Sequence, residues 1–76
     1  MPTYEEYKQK VYEIFLRDFL TNLNKEEKIK YLEENEDLIQ RAYKGDVYRY
    51  KEMKLENVFT DDGIASTVCN NLDMLY

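Results

Sequence analysis

The chain has 76 residues, 43% hydrophobic and 36% charged, with a formal charge of -5: enough for one domain with one small core, too apolar for disorder, and too acidic for nonspecific attraction to nucleic acid or anionic lipid. It has no histidine and one cysteine, which excludes a histidine proton shuttle, an internal disulfide and a four-ligand zinc site, and suits a reducing, cytoplasmic setting. Two glycines and one proline leave few places for tight turns, so hairpins are disfavoured and residues 1–76 are expected to form one all-α domain. No run approaches the roughly 18 apolar residues of a membrane span, and the start, Met1 to Glu6, is acidic where a signal peptide would be basic.

Thr3, three residues ahead of Glu6, announces the first helix, because hydroxyl and carboxylate at that spacing each satisfy a free backbone amide. The helix is expected to reach about Asn22. Tyr4, Tyr7, Val11, Tyr12, Ile14, Phe15, Leu16, Phe19 and Leu20 cover over half of its circumference, which suits a central helix touched on more than one side. Asn24 with Glu27 repeats the start signal and opens a short helix from Lys25 to about Glu34, with a thin stripe of Ile29 and Leu32.

From about Glu36, Leu38, Ile39, Ala42, Tyr43, Val47, Tyr50 and Met53 fall on one side of a single projection. Gly45 could end a helix there, and Asp46 would point into the apolar arc if it continued. The apolar phase does not reset across the pair, so one helix to about Lys54 is expected. A loop at 55–59 follows, then Thr60 as a cap with Asp61 and Asp62 at the positive end of a last helix. Ile64, Ala65, Val68, Cys69, Leu72, Leu75 and Tyr76 form its stripe. The expected architecture is a small bundle of three main helices plus one short one.

Nothing in this layout carries catalytic chemistry. Cys69 has no basic partner and lies on a buried stripe, where a small core residue is expected. Asp61, Asp62 and Gly63 lack the alternating oxygen ligands of a calcium loop and read as a helix cap, while Glu33, Glu34, Glu36 and Asp37 read as a solvated helix junction. Gly45 and Gly63 stand alone, so no phosphate-cradling loop is present. Residues 41–54 are locally basic, with Arg41, Lys44, Arg49, Lys51 and Lys54 against Asp46 and Glu52. Their tyrosines invite a stacking role on nucleic acid, but Tyr43 and Tyr50 are needed on the apolar face.

Eight tyrosines with no tryptophan point to packing and recognition. Projection sends Tyr4, Tyr12, Tyr43, Tyr50 and Tyr76 toward the core and leaves Tyr7 on its boundary. Tyr31, Tyr48 and Met74 point away from the stripes and are the candidate protein-contact residues, since tyrosine and methionine are enriched where protein surfaces meet. The expectation is a non-enzymatic module that binds another protein or itself, without cofactor, metal, membrane or small-molecule substrate. The alternative is an acidic DNA mimic or inhibitor of phage or mobile-element type, acting on a nucleic-acid enzyme.

Overall fold

Helix starts form where the side chains can satisfy the first free amides. In the computed structural model, which describes residues 1–74, Thr3 Oγ1 accepts from the Glu6 amide at 3.2 Å while Glu6 Oε1 accepts from the Thr3 amide at 2.8 Å. This reciprocal cap opens α1, Tyr4–Asp18. Asn24 and Glu27 close the same pair of bonds, both 2.9 Å, at the start of α2, Lys25–Glu34. After Asn35 the chain enters α3, Glu36–Lys51, which runs unbroken through Gly45 and Asp46. A 3-10 turn, Glu56–Phe59, occupies most of the expected loop and buries Val58. Thr60 then caps α4, Asp61–Asn71, by accepting from the Gly63 amide at 3.1 Å. The described residues are all-α, and no strand occurs among them.

The helix stops differ from the starts. α1 ends at Asp18, not near Asn22, because Phe19 turns extended and Leu20 adopts a left-handed φ of 56°. That redirection lays both side chains against the core. α3 ends three residues before Lys54, and Lys54 itself takes a left-handed φ of 56° as the chain folds back. At the end of α4 the Met74 amide donates to Cys69 O at 2.8 Å and the Asp73 amide to Asn70 O at 3.3 Å, with Asp73 left-handed. This is the paired bond pattern that reverses a chain at a helix end and returns the following apolar side chain to the fold.

The core is one cluster. Tyr7, Val11, Ile14 and Phe15 from α1 meet Leu32, Ile39, Ala42, Ile64, Ala65, Val68, Cys69 and Leu72. α1 touches all three other helices, as its wide apolar arc requires, and α3 packs extensively on α4. Full burial of side chains such as Phe15 or Leu32 contributes about 1.5–3 kcal/mol each, so a core of this size holds a domain with little surplus. Leu75 and Tyr76, expected on the last stripe, lie outside the described residues.

Two expectations about burial are corrected, and a third, Asp46 inside the apolar arc of a continuous helix, holds. Tyr7, assigned to the boundary, is 1% exposed, whereas Tyr50, assigned to the core, is exposed and only leans on Phe59 at a ring distance of 5.5 Å. On α3 the innermost polar position is Asp46, fully buried, because Ile39, Ala42 and Asp46 define the inward line and Val47 falls beside it. On α2, Lys28 is buried with Leu32 while Ile29 is half-buried. The Lys28 stem lies along the fold and its ammonium donates to Leu16 O at 3.1 Å, near the negative end of α1.

Candidate functional site

Two places combine unusual burial or exposure with charge, and α3 builds both. On its inner side, the Asp46 carboxylate is held from three directions. Tyr7 of α1 donates to Oδ2 at 2.8 Å, Thr67 of α4 donates to Oδ1 at 2.8 Å, and Arg49, one turn on, donates to Oδ1 at 3.0 Å. A buried carboxylate is costly unless its lone pairs find donors. Here three helices supply them, and among the described residues no buried side-chain polar atom lacks a partner.

This network perturbs Tyr7 more than any other group. Burial, the bond to Asp46 and the nearby carboxylate charge all push its phenol well above the usual tyrosine range, with Arg49 opposing. Tyr4 follows the same logic more mildly. Burial and its 3.1 Å bond to Glu36 push it up to about 12. Cys69 is buried and its thiol is pushed up by that burial alone, which leaves little thiolate for nucleophilic work.

Above Asp46 lies an open cleft of about 620 Å³ between α3, the 3-10 turn and α4, bordered by Arg49, Asn57, Thr60, Ser66 and Asn70. Its walls approach closely because Gly63 lacks a side chain. A Cβ there would sit 2.5 Å from Val58 O and 2.6 Å from Asn57 O. The cleft is lined by hydroxyls, amides and the Asp62 carboxylate, and at its floor Asp46 accepts from Tyr7, Thr67 and Arg49. Its chemistry is that of a cross-link between helices. Among the described residues no group of three or more His, Cys, Asp or Glu side chains could hold a metal ion.

The outer side of α3 is different in kind. Arg41, Lys44, Tyr48 and Lys51 follow one another at spacings of three and four residues, which places them on one stripe, and all four are exposed. Tyr48 is 60% exposed. Among the described residues, Arg41, Lys44, Lys51 and Lys54 form no ion pair, as is also true of Lys25, Lys28 and Lys30, whereas Lys8, Lys10, Arg17 and Arg49 all do. Just past the helix end Met53 and Leu55 are also exposed, and the Leu55 amide returns to Arg49 O at 3.1 Å. Of the five large apolar side chains exposed among the described residues, four therefore lie between Tyr48 and Leu55, and Met1 is the fifth.

The three contact candidates from the sequence do not share one surface. Tyr48 stands in solvent. Tyr31 and Met74, expected to point outward, are half-buried and packed against the core cluster. For Tyr31 the reason is Lys28: with its stem turned inward, the buried line of α2 rotates toward Tyr31. For Met74 the reason is the left-handed Asp73, which takes it out of the helical projection altogether. Conversely, Met53 and Leu55 were not legible as contact residues. Met53 matched the apolar side of a helix that ends before it, and Leu55 carried no periodic signal.

No helix is long and apolar enough to cross a membrane among the described residues. The chain matches no protein-family model, no curated protein and no solved structure.

Proposed function

We propose that this protein is a small non-enzymatic contact module that binds another protein, or a second copy of itself, through the outer stripe and C-terminal end of α3. The single observation that carries this reading is the coincidence of two properties in one segment. Among the described residues, 48–55 hold nearly all the exposed bulky apolar side chains, and residues 41–54 are the most extended basic stretch of an acidic chain. Isolated exposed apolar residues are ordinary, but their concentration in one segment marks contact surfaces. Tyrosine and methionine offer large contact area, and unpaired lysines at the rim supply orientation and rate of encounter. On this reading α1, α3 and α4 form a small cytoplasmic bundle whose role is to hold that segment rigid, and the buried Asp46 network is part of the support.

Action as a DNA mimic finds less support. Mimicry needs carboxylates free at phosphate-like density. Asp46 is buried, Glu6 and Glu27 are engaged in caps, and Glu36 and Asp61 face Lys8, Lys10 and Arg17.

The test is affinity capture from native extract with the wild-type chain and with a Tyr48→Ser/Met53→Ser/Leu55→Ser variant. The wild type is expected to retain a protein that the variant loses. Equal retention by both, or recovery of a nucleic-acid enzyme held equally by the variant, overturns the assignment of this surface.

A further inference from the structure

The contact surface described above has a matching surface on the same molecule. The solvent side of α2 carries Glu26, Glu33 and Glu34, all exposed, with Lys30 among them, beside Glu27, whose carboxylate is also held by the helix cap. The α3 stripe carries Arg41, Lys44 and Lys51, all exposed, with Tyr48 between the two lysines and with the exposed carboxylates of Asp37 and Glu52 at its two ends. Each stripe is about 10–15 Å long at 1.5 Å per residue, so one can lie along the other. Between Arg41 and Lys51 every exposed charge on the α3 stripe is positive, and on the α2 stripe the carboxylates outnumber the one cation. Even the exceptions fit: the one cation of the acidic stripe meets the one ring of the basic stripe, a pairing that is itself attractive.

We infer that the outer face of α2 in one copy docks on the outer face of α3 in another, making this chain self-associate through charge complementarity centred on Tyr48. The inference rests on the reading of the α3 stripe as a contact surface and names its partner. Each copy offers both faces, so two copies related by a two-fold axis that exchange both contacts close as a dimer. A copy that offered only one contact at a time would instead build open chains. Exposed ion pairs are individually weak and are screened by salt, so the association is weak and ionic-strength dependent.

Sedimentation velocity over a concentration series tests this. At low ionic strength the weight-average mass of the wild-type chain is expected to rise with concentration above the 9.3 kDa of a single chain. High salt is expected to weaken the association by about tenfold or more. Lys44→Glu/Lys51→Glu, which makes both stripes acidic, and Glu33→Lys/Glu34→Lys, which makes both basic or neutral, should each stay monomeric alone. Mixed in equal amounts they should associate again, because each then offers what the other lacks. Circular dichroism of each variant checks that these exposed changes leave the helices intact.

A wild-type chain that remains monomeric at every concentration overturns the inference, as does association indifferent to salt and to both charge reversals. Retention of a labelled oligothymidylate by the wild type and not by Lys44→Glu/Lys51→Glu also overturns it, since the stripe is then a nucleic-acid face. The broader contact reading has its own readout: a monomeric chain that still captures a different protein through Tyr48, Met53 and Leu55 removes only the homotypic partner.

Discussion

Asp46 shows how a single polar residue can be read correctly and understood wrongly. Its place on the inward side of α3 was legible from periodicity, where it stood as an argument against a continuous helix. The missing information was tertiary: Tyr7 and Thr67 are 39 and 21 residues away, and no local pattern announces that they converge on one carboxylate. The network makes a direct prediction. Tyr7→Phe removes one charge-assisted hydrogen bond and is expected to cost about 1.5–3 kcal/mol, while Asp46→Ala leaves the buried Tyr7 hydroxyl without its acceptor and lets the half-exposed Arg49 turn to solvent, at a cost of about 1–3 kcal/mol. Urea denaturation followed by circular dichroism measures both, and an Asp46→Ala chain as stable as the parent refutes the role given to the carboxylate. The same residues set an alkaline limit. Because folding raises the phenol pKa values of Tyr7, Tyr4 and Tyr12, it favours their neutral forms. That contribution is complete below the ordinary tyrosine range near pH 10 and is lost as pH climbs through the folded values, about 12 for Tyr4. Tyrosinate absorbance should therefore show a late component coupled to loss of helix, and Tyr7→Phe should remove its latest part.

At the scale of elements, starts were legible and stops were not. A start is written in two side chains three residues apart, and the caps at Thr3, Asn24 and Thr60 form as their spacing requires. The stops at Leu20, Lys54 and Asp73 use left-handed residues that are not glycine, so the usual punctuation is absent from the sequence. Meanwhile the two glycines sit inside helices, for two different reasons. At Gly63 a Cβ would strike the backbone carbonyls of Asn57 and Val58, which cannot yield without separating the 3-10 turn from α4. At Gly45 a Cβ would meet only the guanidinium of Arg49, at 3.2 Å from the Nη1 that donates to Asp46, and that half-exposed side chain can shift by the few tenths of an ångström needed while Tyr7 and Thr67 keep the carboxylate in place. Gly63→Ala is therefore expected to destabilise by about 1–3 kcal/mol through overpacking, whereas Gly45→Ala should stabilise by up to about 1 kcal/mol through helix propensity. Thermal denaturation of the two variants decides the matter, and equal shifts in the same direction contradict this account of the glycines.

For the whole molecule, the separation of core from contact surface is the property that matters. A chain this short buries a smaller share of its surface than a large domain does, and most of its tyrosines are drawn into or against the core. The apolar residues it leaves exposed are consequently few, and they gather where α3 runs out of neighbours. Composition alone suggested eight adhesive rings; only packing distinguishes Tyr7, wholly enclosed, from Tyr48, standing free. If residues 48, 53 and 55 serve contact and not folding, polar replacements there should leave stability almost untouched, since exposed substitutions away from caps and networks usually shift it by less than about 0.5 kcal/mol. Tyr48→Ser, Met53→Ser and Leu55→Ser should each melt within a few degrees of the parent, singly and together, with unchanged helical content. Tyr50→Ser serves as the internal contrast, because its ring leans on Phe59 and through it on the ring of Tyr7. Loss of that packing lowers the melting temperature even though Tyr50 is partly exposed. A triple variant that unfolds would place these side chains in the fold, and the surplus of exposed apolar surface on α3 would then have a structural cause.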